Sequence, residues 1–233
     1  MGDKNQLLFV QKFLGRLNAP YLEVGSRNYG NTQDFRPLFA DRGKYVGIDM
    51  GQGPGVDMAL NLTDDFEKID AKLGGDRFGT IFCLSVLEHC ENPFKMADNM
   101  TRLLHEDGHI CIGVPFSWRI HAYPNDYWRF TPEGVKRLFP KVDFNLGYSL
   151  AATSRDGEFQ ELDDDLGKIS LSLSKHWKRG HPLRGVSAKL LELLLRFGVI
   201  GGPGAYRHVF APTNVLMLGK LKDKAEKAET SAT

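Results

Sequence analysis

The run FGTIFCL, residues 78–84, constrains the fold more than any other stretch. It is apolar at almost every position and lacks the alternation that would give a strand one wet face. Strands of this kind are buried on both sides. Sheets buried on both sides are mostly parallel and carry helices as covers.

The flanking sequence supplies the rest of such a sheet. Residues 21–25 (YLEVG), 44–49 (KYVGID) and 56–60 read as three earlier strands, and residues 109–114 as the next one. Between 84 and 109 stands a well-marked helix. Asn92 is its N-cap and Pro93 its first residue, and Phe94, Ala97, Met100 and Leu104 share one face. Gly108 ends the connection. Thr131, Pro132 and Glu133 start another helix, with Val135, Leu138 and Phe139 as its apolar side. Residues 7–17 read as a lead-in helix, and 35–39 as a piece of helix limited by Pro37. Residues 142–150 and 214–221 read as later strands. The expected class is α/β, Rossmann-like, with helices on both faces of a mostly parallel sheet. The expected organisation is a core over 1–154, an insertion or lid over 155–212, a last core strand over 213–221 and a tail over 222–233.

A formal net charge of +1 offers no overall footprint for nucleic acid. No leading apolar segment and no apolar run of about 20 residues occurs, so a soluble, cytoplasmic protein is expected. Cys83, Cys90 and Cys111 lack CxxC spacing and read as buried thiols.

Two carboxylates carry the functional reading. The first strand runs into Glu23-Val24-Gly25, and the second ends on Asp49, about two dozen residues later. An acidic side chain there accepts hydrogen bonds from ribose hydroxyls, and Gly25 admits close approach of a ligand. A nicotinamide or flavin would need several glycines to cradle its pyrophosphate, but Arg27 and Tyr29 stand in the way. No Tyr-x-x-x-Lys pair supports an oxidoreductase. S-adenosylmethionine has adenine, ribose and a methionine end without phosphates, and so tolerates this loop.

The segments LEVGS (22–26), VGID (46–49), LNLTD (60–64), FGTIFCLSVLEH (78–89), NPFKMADNMTRLLHEDGHICIGVP (92–115) and HAYPNDYWRFTPEG (121–134) together resemble the class I S-adenosylmethionine-dependent methyltransferases of the type 11-like family. The resemblance implies a seven-stranded sheet whose late strand, 214–221, is antiparallel. It also implies cofactor contacts. Glu23, Gly25 and Ser26 would line the methionine end, Asp49 would hold the ribose, and Met50 would pack near the adenosine. Asn61 and Leu62 would sit at the adenine edge, Leu84 and Ser85 would lie below the sulfonium, and Glu88 and His89 would follow. The chain departs from the family pattern in having only Gly25 and Gly30 in the first motif, and in having Asn61 where an acid is common. Arg27 could pair with the methionine carboxylate or stay solvated.

The stretch HAYPNDYWRF, 121–130, follows the fifth expected strand and should overhang the transferred methyl group. His121 is the candidate general base and Asp126 its orienting carboxylate. Tyr127, Trp128 and Arg129 are candidates for binding the acceptor. A plainer alternative packs Trp128 and Phe130 into the core while Arg129 and Asp126 tie the loop. No metal is expected, because His105, His109 and Cys111 form no closed ligand set. The insertion carries the basic stretch SKHWKRGHPLRG with Trp177, then a helix with Lys189, Glu192 and Arg196 on a narrow face and leucines over the remainder. It reads as a lid, a homodimer contact, or a peripheral membrane contact through 186–199. GGPG, 201–204, reads as a hinge or turn. The functional expectation is O-methylation of a small-molecule or saccharide acceptor, without nucleic acid. The alternative is a noncatalytic binding or scaffold protein on the same fold.

Overall fold

The structure is a computed structural model that describes residues 3–30, 33–121, 125–144, 147–152, 156–162, 173–178, 180–197, 199 and 213–222. The chain forms two compact units, one comprising Met1–Leu162 with Pro212–Thr233, the other Asp163–Ala211.

The first unit runs α1 (Lys4–Phe13), β1 (Tyr21–Val24), β2 (Tyr45–Asp49), β3 (Met58–Ala59), α2 (Phe66–Lys72), β4 (Phe78–Leu84), α3 (Pro93–Leu103), β5 (Leu104–Pro115), α4 (Pro132–Leu138), β6 (Val142–Asp143), β7 (Leu150–Ala152) and β8 (Phe159–Glu161), closing with β9 (Asn214–Leu221). The sheet order is β3-β2-β1-β4-β5-β9-β7-β8, with β6 also paired to β9. The first five strands pair in parallel. β9 is antiparallel to β5, as expected for 214–221, and β6 and β7 are each antiparallel to β9. Hence β6 and β7 point the same way as β5, and only β9 and β8 run against the rest. All seven residues of β4 are buried, as a strand covered on both faces must be.

Local chemistry explains where the elements differ from expectation. The lead-in helix begins at Lys4 because Asp3 caps it: Asp3 Oδ1 accepts from Gln6 N at 2.9 Å, and Gln6 Oε1 accepts from Asp3 N at 3.0 Å. It becomes a 3₁₀ turn at Leu14–Arg16. The segment at 35–39 is only a 3₁₀ turn, with Pro37 inside it. The strand expected over 56–60 shrinks to Met58–Ala59. β5 starts at Leu104, directly after α3, and absorbs Gly108 through a register shift opposite Phe78 and Thr80. The strand expected over 142–150 breaks in two, with Gly147 in the left-handed region at φ 66 between the pieces. β8 adds an edge strand beyond the seven, so the sheet unit reaches Leu162, past the 154 boundary expected from sequence. Asn92 and Thr131 do cap α3 and α4, accepting from Lys95 N and Gly134 N at 3.0 Å each.

Under one sheet face lies an aromatic core of Phe9, Phe13, Tyr21, Phe35, Phe39 and Phe82. Cys83, Cys90 and Cys111 are buried free thiols. In the second unit, α5 (Leu173–Lys178) packs with α6 (Pro182–Arg196). Glu192 accepts from Lys189 at 2.6 Å. Leu183, Val186, Leu190, Leu193 and Phe197 are exposed at alternating three- and four-residue steps. No helix among the described residues is long and apolar enough to cross a membrane. The turn expected at 201–204 and the tail from 223 lie outside the described residues.

Candidate functional site

Parallel strands bring their carboxyl ends to one edge, and there the chain leaves the sheet at Gly25, Asp49, Leu60 and Ser85 around a cavity of about 530 Å³. That volume suits a ligand the size of a nucleoside. Gly25, Asp49, Met50, Asn61, Leu62, Ser85 and His89 all line it, as do His121 and Tyr127 from the loop after β5.

Each wall is held by specific contacts. Gly25 has φ 74, and its N–H donates to Ile48 O at 2.8 Å. A Cβ here would stand 2.4 Å from Val86 Cγ2, so only glycine fits. Asp49 Oδ1 accepts from Gly51 N at 3.1 Å, which turns its carboxylate at the end of β2. Asn61 Oδ1 accepts from Thr63 N and Oγ1 at 3.0 and 2.8 Å. Ser85 is the one described non-glycine residue with positive φ, at 56. Such a backbone stores about 1–3 kcal/mol. Ser85 Oγ accepts from Gln6 Nε2 at 2.8 Å, and its N–H donates to Gly113 O at 2.8 Å.

Other sequence candidates stand back from the cavity. Glu23 is buried beneath it; Tyr45 donates to its Oε2 at 2.9 Å, and burial pushes its carboxyl up. Ser26 is fully buried with an unpartnered Oγ. Arg27 lies over the Tyr29 ring at 5.1 Å and against Gly53, whose Cβ would come within 2.9 Å of Arg27 Nε. Leu84 is buried in the core.

The loop after β5 is fastened to the turn after β4. Tyr127 N donates to Glu88 O at 2.8 Å, and Trp128 Nε1 donates to Cys90 O at 2.7 Å. Tyr127 OH donates to Glu91 Oε1 at 2.9 Å. Arg129 grips Asp126 with two bonds, 2.5 Å to Oδ1 and 2.7 Å to Oδ2, and reaches the carbonyls of Trp128 and Arg119 at 2.7 and 3.1 Å. Its guanidinium holds the Asp126 carboxyl well below the usual range. Asp126 also receives the His121 backbone N–H at 2.8 Å and lies 3.2 Å from His121 Nδ1. Thus Asp126, Trp128 and Arg129 brace the loop, and His121 and Tyr127 face the cavity.

Several site residues were missed in the sequence. Gln6 props Ser85 from 79 residues away. Asn99 on α3 donates to the carbonyls of Leu62 and Asp64 at 2.8 and 2.9 Å, fixing the turn that carries Asn61. Asn125 lies within the HAYPNDYWRF stretch, and its carbonyl lies 2.6 Å from His89 Nδ1. His105, His109 and Cys111 were the metal-type residues weighed in the sequence, and a different group comes together in the fold. Among the described residues, Glu88, His89 and His121 place one ligand atom each within 4.8 Å of one another. Glu88 and His121 are 33 positions apart in the chain, so no local spacing announces this group. Burial pushes Glu88 up to about 8 and pulls the His89 imidazole down from its ordinary value.

No protein-family model matches the chain, and no curated protein sequence matches it. Solved structures do. A S-adenosylmethionine-dependent methyltransferase from Archaeoglobus fulgidus is 12% identical with a TM-score of 0.53, over 92% of each chain. The 1,6-didemethyltoxoflavin-N1-methyltransferase of Burkholderia thailandensis, with 1,6-didemethyltoxoflavin and S-adenosylhomocysteine bound, is 14% identical with a TM-score of 0.49, over 94% of this chain and 77% of that one. The N-methyltransferase NodS of Bradyrhizobium japonicum WM9, in complex with S-adenosylhomocysteine, is 12% identical with a TM-score of 0.48, over 94% and 85%. At these identities the likeness is one of fold, carried by the first of the three: the chain has the Rossmann-like fold of the class I S-adenosylmethionine-dependent methyltransferases.

Proposed function

We propose that the protein is an S-adenosylmethionine-dependent methyltransferase acting on a hydroxyl of a small-molecule or saccharide acceptor. One observation carries this reading. Gly25, Asp49, Asn61 and Ser85, from four separate strand ends, line a single cavity whose outer wall holds His121 and Tyr127. In this reading Asp49 accepts from the ribose hydroxyls, Met50 and Leu62 flank the adenosine, and Asn61 meets the adenine edge. Gly25 and Ser85 border the methionine end. Glu23, Ser26, Arg27 and Leu84 support the turn from behind.

Methyl transfer is an in-line displacement. The acceptor oxygen attacks the methyl carbon, the carbon–sulfur bond returns its electron pair to sulfur, and the acceptor proton must leave. His121 is suited to take that proton. Its Nδ1 lies near two acceptors, Asp126 Oδ2 and Arg119 O at 3.3 Å, so the Nδ1 proton is retained and Nε2 is free to act as base. Tyr127 offers a ring face to the acceptor, and Asp126 and Arg129 hold the loop in place. In the second unit, the exposed apolar row over 186–199 with Lys189 and Arg196 beside it supports contact with an anionic bilayer surface.

Calorimetric titration with S-adenosylmethionine, S-adenosylhomocysteine and NAD tests the reading. Binding of the first two but not NAD is expected. Asp49→Ala should weaken that binding roughly 10- to 100-fold, the worth of a charged hydrogen bond to a hydroxyl. A folded protein that ignores both adenosyl ligands would refute the assignment and leave a noncatalytic role.

A further inference from the structure

We propose that Glu88, His89 and His121 form a binding site for one borderline divalent transition-metal ion, of the zinc or ferrous class, in the wall of the cavity. Three independent features lead there.

The first is convergence. One ligand atom from each side chain lies within 4.8 Å of the others, and the two imidazoles stand edge to face at 4.9 Å between centroids. The second is the set of contacts behind the histidines. His89 Nδ1 sits 2.6 Å from Asn125 O, and a carbonyl can only accept, so this nitrogen donates. His121 Nδ1 is flanked by Asp126 Oδ2 at 3.2 Å and Arg119 O. Each ring therefore keeps its proton on Nδ1 and presents a bare Nε2, as a ligating histidine backed by a carboxylate or carbonyl does. The third is an orphan. The Glu88 side chain is 1% exposed, and its Oε2 has no hydrogen-bond partner. The other oxygen, Oε1, faces His89 Nε2 at 3.9 Å, and a cation bound there would displace the proton that burial keeps on this carboxyl.

Two imidazoles and one carboxylate suit zinc, iron or cobalt and not magnesium or calcium, which prefer oxygen throughout. Tetrahedral donors at about 2.1 Å from a metal lie roughly 3.4 Å apart, so a group within 4.8 Å must tighten by up to about 1.4 Å at its widest. Glu88 and His89 are adjacent in one 3₁₀ turn, whereas His121 sits on the loop, so the loop supplies the movement. Three protein ligands leave a coordination position open, and two of the three, His89 and His121, line the cavity.

The metal's role, unlike its binding, rests on the methyltransferase reading. A metal held by these three residues would act as a Lewis acid, lowering the pKa of an acceptor hydroxyl at the open position so that water could take its proton. With metal bound, His121 Nε2 would be a ligand and could not also be the base, so the His121 base belongs to the metal-free protein alone.

The test is titration of the metal-stripped full chain with zinc and cobalt(II) by calorimetry, with the visible spectrum of the cobalt form as a second readout. One-to-one binding is expected. Glu88→Gln and His121→Ala should each weaken it at least 100-fold, and Asp126→Asn by about 10- to 100-fold. The His121 side chain is 24% exposed on a loop, so His121→Ala remains informative even if a Glu88 variant fails to fold. The absence of one-to-one binding by the parent, or binding undiminished in His121→Ala, overturns the proposal. Titrating S-adenosylhomocysteine into the same samples separates the two readings. Adenosyl binding without metal overturns only the metal site, and metal without adenosyl binding overturns only the methyltransferase.

Discussion

Gly25→Ala isolates the feature on which the cavity depends. Alanine at φ 74 costs about 1 kcal/mol in the left-handed region. Its Cβ would also stand 2.4 Å from Val86 Cγ2, well inside contact distance. Overlaps of this kind cost about 1–3 kcal/mol and displace neighbours. Together these predict a loss of roughly 2–4 kcal/mol, or about 5–15 °C in Tm for a chain of this size. Val86 lines the cavity, so pushing it inward should also weaken S-adenosylhomocysteine binding. The two terms separate in a double-mutant cycle. In a Val86→Ala background the overlapping methyl is gone, because the next Val86 atom lies at 3.7 Å from the new Cβ and belongs to the other methyl or to Cβ itself. There Gly25→Ala should cost only the backbone term, about 1 kcal/mol. The expected coupling is therefore about 1–3 kcal/mol. Thermal denaturation and calorimetry on the four proteins measure it. Equal cost of Gly25→Ala in both backgrounds would refute the steric argument.

Glu23 lies above its ordinary value because it is buried, so the folded chain keeps a proton there that the unfolded chain loses above pH 4.5. Its contribution is full below that pH and is lost as pH rises through the folded value. Glu23→Gln, which can still accept from Tyr45, should therefore gain on the parent in Tm from pH 4 to 7; a constant difference would contradict this. Asn99→Ala strands the carbonyls of Leu62 and Asp64, at a cost of about 2–3 kcal/mol in urea unfolding, with weaker adenosyl binding; unchanged values would show that water replaces the amide. The protein should co-sediment with anionic vesicles and less so with Lys189 and Arg196 changed to Gln. Failure of the parent to pellet would remove the membrane contact.

The parallel core was legible because its signals are local. FGTIFCL can only be a strand covered on both sides, and Asn92-Pro93 and Thr131-Pro132 write their own helix starts. The place of Asp49 at the cavity was legible because it ends a parallel strand. What could not be read depends on distant partners. Gln6 looks like any helical glutamine until Ser85 arrives beneath it. Arg129 tying the loop through Asp126 was open to the sequence because the two are three residues apart, whereas the Trp128 bond to Cys90 O, 38 positions away, was not. The Glu88–His89–His121 group joins a strand-end turn to a loop beyond the following strand, so no spacing rule finds it.

The fastening of the loop to the turn after β4 has a thermodynamic consequence. Ser85, Val86 and His89 line the cavity, and the same turn receives Tyr127 N at Glu88 O and Trp128 Nε1 at Cys90 O. A ligand that settles the turn therefore also settles the loop, and the ordering cost is met once for both. By linkage, a ligand gripped by the loop raises affinity for the cavity's ligand by the same factor that it gains in return. The two occupants of this site are thus expected to enter cooperatively, the first making the second tighter, with no subunit contact needed.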